Sequence, residues 1–112
     1  MIVFTMRVTA RPEKRREMLQ ALRSLLGPMS VQPGCLRCRL YQDADDEDVL
    51  TWIEEWESRE QLDRHVRSTE YRTLLSVMDL STVQPEVRFN TVVQTAGMEL
   101  IEDTMKRGAR PS

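Results

Sequence analysis

Residues 49–71, VLTWIEEWESREQLDRHVRSTEY, read as a strand, a capped turn and a helix. Leu50, Trp52, Glu54 and Trp56 alternate onto one face of the strand. Ser58 follows, with Gln61 three residues later, the pattern of a capping box. The helix then carries Leu62, His65, Val66 and Thr69 at spacings of three and four, so they share one face. A strand feeding directly into a helix in a small domain packs beneath it. Trp52, Glu54 and Trp56 are therefore expected close to His65. The stretch holds both tryptophans and the only histidine, and no other cluster of this kind occurs in the chain.

Upstream, 35–42 reads as a strand and 43–48, DADDED, as an acidic hairpin turn. Calcium is a poor occupant of that turn, because the spacing, glycine and closing glutamate of an EF-hand loop are missing. Pairing across it sets Leu40 beside Trp52, Cys38 beside Glu54 and Leu36 beside Trp56, with Arg37 opposite Glu55 on the other face. Further upstream, 2–9 alternates as a first strand, with Ile2, Phe4, Met6 and Val8 on one side. Pro12 suits the first turn of a helix. Met18, Leu19, Leu22, Leu25 and Leu26 continue it at helical spacing, and Gly27-Pro28 predicts its end. Residues 29–34 then form a loop closed by Pro33-Gly34.

Downstream, Ser68 caps a further short helix with Tyr71, Leu74, Leu75 and Met78 as its apolar positions. A loop over 81–85 leads to a last strand, 86–95, with Val87, Phe89, Thr91 and Val93 on one face. Residues 98–108 form an amphipathic helix with Met98, Ile101 and Met105 in line, before a loose tail. The order βαββαβ predicts an α+β, ferredoxin-like antiparallel sheet with its helices on one face. The domain is expected over 1–96. The segment 97–112 is expected as an appended short helix and tail that crosses to a partner subunit. The second sheet face would carry Val3, Thr5, Thr51 and Ile53 mixed with Arg37, Arg39 and Glu55. A half-apolar face of that size calls for a cover, and a second copy packed face to face is the simplest one.

The 112-residue length argues for one domain. A net charge of −2 gives no reason to expect nucleic acid or a membrane surface as partner. No apolar run approaches the roughly 20 residues of a membrane span, and the N-terminal apolar run is too short for a signal peptide, so the cytoplasm is the expected location. Cys35 and Cys38 form a C-x-x-C within a strand, which would place the two side chains on opposite faces and leave both thiols free. With one histidine they fall short of a closed zinc site, and no metal site is expected.

The chain resembles the antibiotic biosynthesis monooxygenase family of dimeric α+β barrels over roughly residues 1–95. The resemblance rests on Pro33-Gly34-Cys35-Leu36 leading into a strand that ends Leu40-Tyr41, then Glu54-Glu55-Trp56-Glu57-Ser58, then His65 seven residues past Ser58. It implies oxygenation of phenols, quinols or polycyclic aromatics without metal, flavin or haem, in a family that also includes members with no known reaction. In the branch that oxidises aromatic polyketides, an asparagine and a tyrosine hold the substrate. Their places here look like Trp52 and Leu62, so only Trp56 carries over. In the haem-degrading branch the iron-ligating histidine matches Leu75, which makes haem degradation a poor fit.

An oxygenase without a cofactor must use its substrate as the reductant. A deprotonated phenol is electron-rich enough to reduce O2, provided the site supplies a base, an apolar pocket and little water. His65 is the candidate base, since imidazole is the side chain that ordinarily titrates near neutrality. Glu54 is the candidate partner that orients it. Trp52, Trp56, Phe4 and Leu62 are the candidate substrate-binding residues. Each has a plainer reading beside it. His65 could be a satisfied core histidine, and the tryptophans could be core alone. Glu54 between two indoles costs several kcal/mol unless it is paired. The competing functions are a non-catalytic barrel that binds a hydrophobic small molecule, and an isomerase or decarboxylase on the same scaffold.

Overall fold

The computed structural model describes residues 1–108. Four strands, β1 (Ile2–Thr9), β2 (Cys35–Gln42), β3 (Val49–Trp56) and β4 (Glu86–Thr91), form one antiparallel sheet in the order β2-β3-β1-β4. Helices α1 (Arg15–Ser30), α2 (Arg59–Val66), α3 (Thr69–Met78) and α4 (Met98–Gly108) complete the chain, with a short 3-10 turn over Pro12–Lys14. This is the expected ferredoxin-like arrangement: the β2–β3 hairpin inserts β3 between β2 and β1. Alternation works as expected in β1 and β3, whose even-numbered residues turn to the helices and are buried. Phe4, Met6, Val8, Leu50 and Trp52 join Leu22, Met29 and Leu74 in one core. The hairpin turn is closed by its own carboxylates: Asp43 Oδ1 accepts from the amides of Asp45 and Asp46. Arg15 at the start of α1 reaches Glu47 and Asp48 at 2.9 Å, tying helix to turn.

Three boundaries differ from the sequence expectation. First, α1 runs through Gly27-Pro28 to Ser30. The backbone bond lost at Pro28 would have gone to Ser24, on the exposed side, where water replaces it. Gly27 has no Cβ to clash with the proline ring, and buried Met29 holds the last turn down. Second, β4 stops at Thr91. A strand extends only as far as its partner: β1 begins at Ile2, which pairs with Thr91, and Val92 N–H closes the ladder on the Met1 carbonyl at 2.8 Å. Val93 is left 94% exposed. Third, the hairpin carries a β-bulge between Cys35 and Arg37. Leu40↔Trp52, Cys38↔Glu54 and Arg37↔Glu55 pair as expected, but Cys35 rather than Leu36 faces Trp56. Leu36 is the extra residue and is 55% exposed. The bulge reverses the alternation, so Cys35 and Cys38 lie on the same sheet face and not on opposite ones. Both thiols are free.

The second helical stretch is two helices, each with its own cap: Ser58 Oγ accepts from Gln61 N–H, and Ser68 Oγ from Tyr71 N–H. Tyr71, Leu74 and Val77 are the buried positions of α3. Leu75 is 41% exposed, and Met78 only flanks the core. Gly34 has φ +86°, and a Cβ there would collide with the Gln61 side chain, so the turn that delivers β2 needs glycine. The open sheet face carries Val3, Thr5, Thr51 and Ile53 half-buried, with Arg37 3.9 Å from Glu55. Residues 93–108 are exposed throughout, α4 included. The tail expected over 109–112 lies outside the described residues.

Candidate functional site

Three rows of side chains cross the helix-facing side of the sheet. The middle row runs Cys38, Glu54, Phe4, Phe89 from β2 to β4. The flanking rows are Leu40, Trp52, Met6, Val87 and Cys35, Trp56, Ile2, Thr91. Glu54 therefore stands between two indoles along its own strand. It uses both: the Trp52 Nε1–H donates to Oε2 at 2.7 Å, and the Trp56 Nε1–H donates to Oε1 at 2.9 Å. All three residues are fully buried. Two N–H bonds to an ionised acceptor recover much of what burying a carboxylate costs.

His65 comes down from α2 onto this row. Its ring stacks on Trp56 with centroids 4.3 Å apart and meets the edge of Tyr71 at 5.1 Å. Nδ1 lies 2.6 Å from Gln32 Oε1, and the Gln32 amide nitrogen donates in turn to Glu70. Nε2 lies 2.9 Å from Glu54 Oε1, yet off the line of a formed hydrogen bond, and it has no other partner among the described residues. A buried imidazole nitrogen held beside a buried carboxylate without an aligned bond is uncommon and calls for a reason. The charge of Glu54 is felt around it. Burial, and then Glu54, push the phenol of Tyr71 above its ordinary range. The same two causes raise the thiols of Cys38 and Cys35.

His65, Glu54, Trp52 and Trp56 thus meet as the sequence suggests. Phe4 pairs across the strands with Glu54, and Tyr71 stands between it and the imidazole. Leu62 packs in one cluster with Ile2 and Trp56. Three contributors escaped the sequence reading. Gln32 sits in a loop with no pattern to mark it. Tyr71 has the spacing of an ordinary core position. Phe89 lies over Phe4 at 4.8 Å and is 47% exposed. Its neighbour Val87 is similarly bare, so the row ends in an uncovered apolar edge at β4.

The centre itself is closed. A cleft of about 770 Å³ lies between the start of α1 and the end of α3, near Lys14, Met18 and Leu80. One of about 620 Å³ lies on the open sheet face by Arg7 and Arg88, and another of about 730 Å³ beneath the end of α3 by Met78 and Val87. None of these three is lined by Glu54 or His65. Among the described residues, no group of three His, Cys, Asp or Glu side chains is placed to hold a metal ion. No helix among them is long and apolar enough to cross a membrane.

The family model for antibiotic biosynthesis monooxygenase matches residues 1–75. A Synechocystis protein of uncharacterised function is 22% identical over 95 residues. That alignment covers 84% of this chain but 65% of the relative, so the chain spans just under two thirds of that protein's length. Among solved structures, one from Mycobacterium tuberculosis superposes with a TM-score of 0.76 at 27% identity, covering 86% of this chain and 98% of its own. A crystal structure of an antibiotic biosynthesis monooxygenase gives 0.74 at 24%, covering 84% and 100%. One from Deinococcus radiodurans gives 0.78 at 13%, covering 87% and 97%, a likeness of fold. With the matched segment spanning β1 through most of α3, including Glu54 and His65, the chain belongs to the antibiotic biosynthesis monooxygenase family.

Proposed function

We propose that this protein is a cofactor-independent monooxygenase acting on a small aromatic phenol or quinol. The observation that carries the reading is the His65 Nε2 atom: buried, 2.9 Å from Glu54 Oε1, and without an aligned hydrogen bond. In this reading His65 takes the substrate's hydroxyl proton and Glu54 stabilises the imidazolium. The phenolate transfers an electron to O2, and the resulting superoxide adds to a ring carbon that bears hydrogen. The O–O bond then breaks as that carbon loses its hydrogen, giving a quinone carbonyl. The departing hydroxide takes the stored proton and leaves as water. One phenol and one O2 give one quinone and one water, so four electrons pass from ring to oxygen with nothing else supplied.

The substrate enters in this reading from the β4 edge, where Phe89 and Val87 are exposed. Phe89 and Tyr71 must swing aside, since Phe4, Trp52, Trp56 and Leu62 are buried and offer no free ring face at rest. An aromatic guest would replace Phe89 against Phe4 and stack at the offset geometry such rings prefer. The same edge supports a homodimer as the working form. Val87, Phe89 and the stripe of Met98, Ile101 and Met105 on α4 are all uncovered, and the chain extends over 57 × 35 × 22 Å. A second copy would receive the segment 97–112 and cover the half-apolar open sheet face, a pairing expected to bury about 2,000 Å² or more.

A second reading follows from the closure of the centre: a barrel that binds a hydrophobic aromatic and does not turn it over. Oxygen uptake with a panel of phenols and quinols separates the two. Saturable uptake that drops by on the order of 10²-fold or more in His65→Leu and Glu54→Gln supports the oxygenase. Saturable binding without uptake supports the binding barrel. Proton exchange or decarboxylation without oxygen would point to the isomerase or decarboxylase class.

A further inference from the structure

The loop between α1 and β2 sends one polar side chain into the buried centre, Gln32. Its Oε1 lies 2.6 Å from His65 Nδ1, and its Nε2 lies 3.2 Å from Glu70 Oε2. Glu70 decides which way round the amide stands. A carboxylate has only acceptors, so the NH2 end must face it, and the carbonyl oxygen is left for the imidazole. That oxygen has no proton to give, so Nδ1 must carry the hydrogen. The second ring nitrogen then has a fixed problem. As a neutral ring with Nδ1–H, His65 would present a lone pair at Nε2, 2.9 Å from Glu54 Oε1. Glu54 already accepts an indole N–H at each oxygen and, as a carboxylate, has none to offer. Two acceptors are thus held face to face, and a proton arriving at Nε2 would relieve both.

We propose that Gln32, oriented by Glu70, is a positioning residue that locks His65 in the Nδ1–H form, so that Nε2 faces Glu54 Oε1 as the bare ring nitrogen, ready to take a proton. The use of that empty nitrogen to take a substrate's proton rests on the oxygenase reading above; the lock itself does not. The common tautomer of free imidazole, Nε2–H, would fill that nitrogen, set a bare Nδ1 against the Gln32 oxygen and leave no empty place for a substrate proton. The chain of Glu54, His65, Gln32 and Glu70 thereby runs from the sealed centre to the partly exposed start of α3.

His65 is the only histidine, so a two-bond ¹H–¹⁵N correlation spectrum of uniformly labelled protein at neutral pH reads its protonation pattern without assignment. The expected wild-type pattern has Nδ1 protonated; an Nε2–H ring with bare Nδ1 would overturn the proposal. Gln32→Leu should move the pattern to Nε2–H, whereas Glu70→Gln, which keeps an acceptor for the amide, should leave it as in the wild type. An unchanged spectrum in a folded Gln32→Leu protein removes the positioning role; Gln32→Ala serves if the leucine variant does not fold. Where oxygen uptake is measurable, Gln32→Leu should lower kcat about ten-fold or more with KM nearly unchanged. A shifted spectrum with unchanged kcat overturns the catalytic half alone. No uptake in the wild type overturns the oxygenase reading and leaves the spectrum to decide the lock.

Discussion

Strands β3 and β4 both turn alternate large side chains toward the helices, and they meet opposite conditions. On β3, Trp52, Glu54 and Trp56 are fully buried, with each indole N–H bonded to Glu54. On β4, Val87 and Phe89 are about half exposed, because no helix among the described residues packs closely over that edge. The protein spends its own helices closing a polar centre and leaves an apolar edge open. Burial of a polar group demands a complete set of partners, which one chain can supply from fixed positions. An apolar edge demands only area, which a guest or another subunit can supply equally well.

The contrast breaks most directly at Glu54. Glu54→Leu strips partners from two buried indoles and a buried imidazole nitrogen and should cost about 3–5 kcal/mol in urea unfolding. A cost below about 1 kcal/mol would mean that the centre is wetter and looser than its geometry. A pair of truncations sharpens the other side. Phe4→Ala should cost about 3–5 kcal/mol and Phe89→Ala about 1 kcal/mol in dilute protein, although the two rings touch. If a second copy covers the edge, the Phe89→Ala cost should grow with protein concentration, and the wild-type melting temperature should fall on dilution.

A smaller effect tests the covered side through pH. Cys38 and Tyr71 hold their protons more tightly folded than unfolded, Cys38 from an ordinary value of 9.0 and Tyr71 from 10.0. Their contribution is complete below about pH 9 and is lost as the pH rises through the folded values, because only the unfolded chain ionises there. Melting temperature should therefore fall above about pH 9, and Cys38→Val with Tyr71→Phe should flatten that fall. Cys35, raised for the same reasons but only partly buried, should contribute less. The smallest effect belongs to the open face. Arg37→Glu faces Glu55 across an exposed pair and should cost about 0–1 kcal/mol in the single subunit, partly restored by Glu55→Arg. A larger loss that appears only at high concentration would place this face in a subunit contact.

Which of these features the sequence reveals follows from their periodicity. Strands β1 and β3, the Ser58 and Ser68 caps and the meeting of Glu54 with His65 all follow from period-two or helical spacing. The bulge at Leu36 does not, because Cys35, Leu36 and Arg37 alternate without a flaw and only the pairing with Trp56 shows the slip. The continuation of α1 past Gly27-Pro28 depends on which side of the helix faces water. The early end of β4 depends on where β1 starts. Gln32 is a polar residue beside a turn, like many that do nothing, and its role exists only once α2 has brought His65 within 2.6 Å.

The central claim is that Glu54 and His65 let an aromatic substrate reduce oxygen with no other reductant. Incubation with ¹⁸O2 and each phenol of the panel, followed by mass spectrometry, tests it in one step. The account predicts one ¹⁸O atom in the quinone product for each O2 consumed, the second appearing as water, with both lost in His65→Leu. Oxygen consumption without label in the product, or label incorporation that survives His65→Leu, would contradict it.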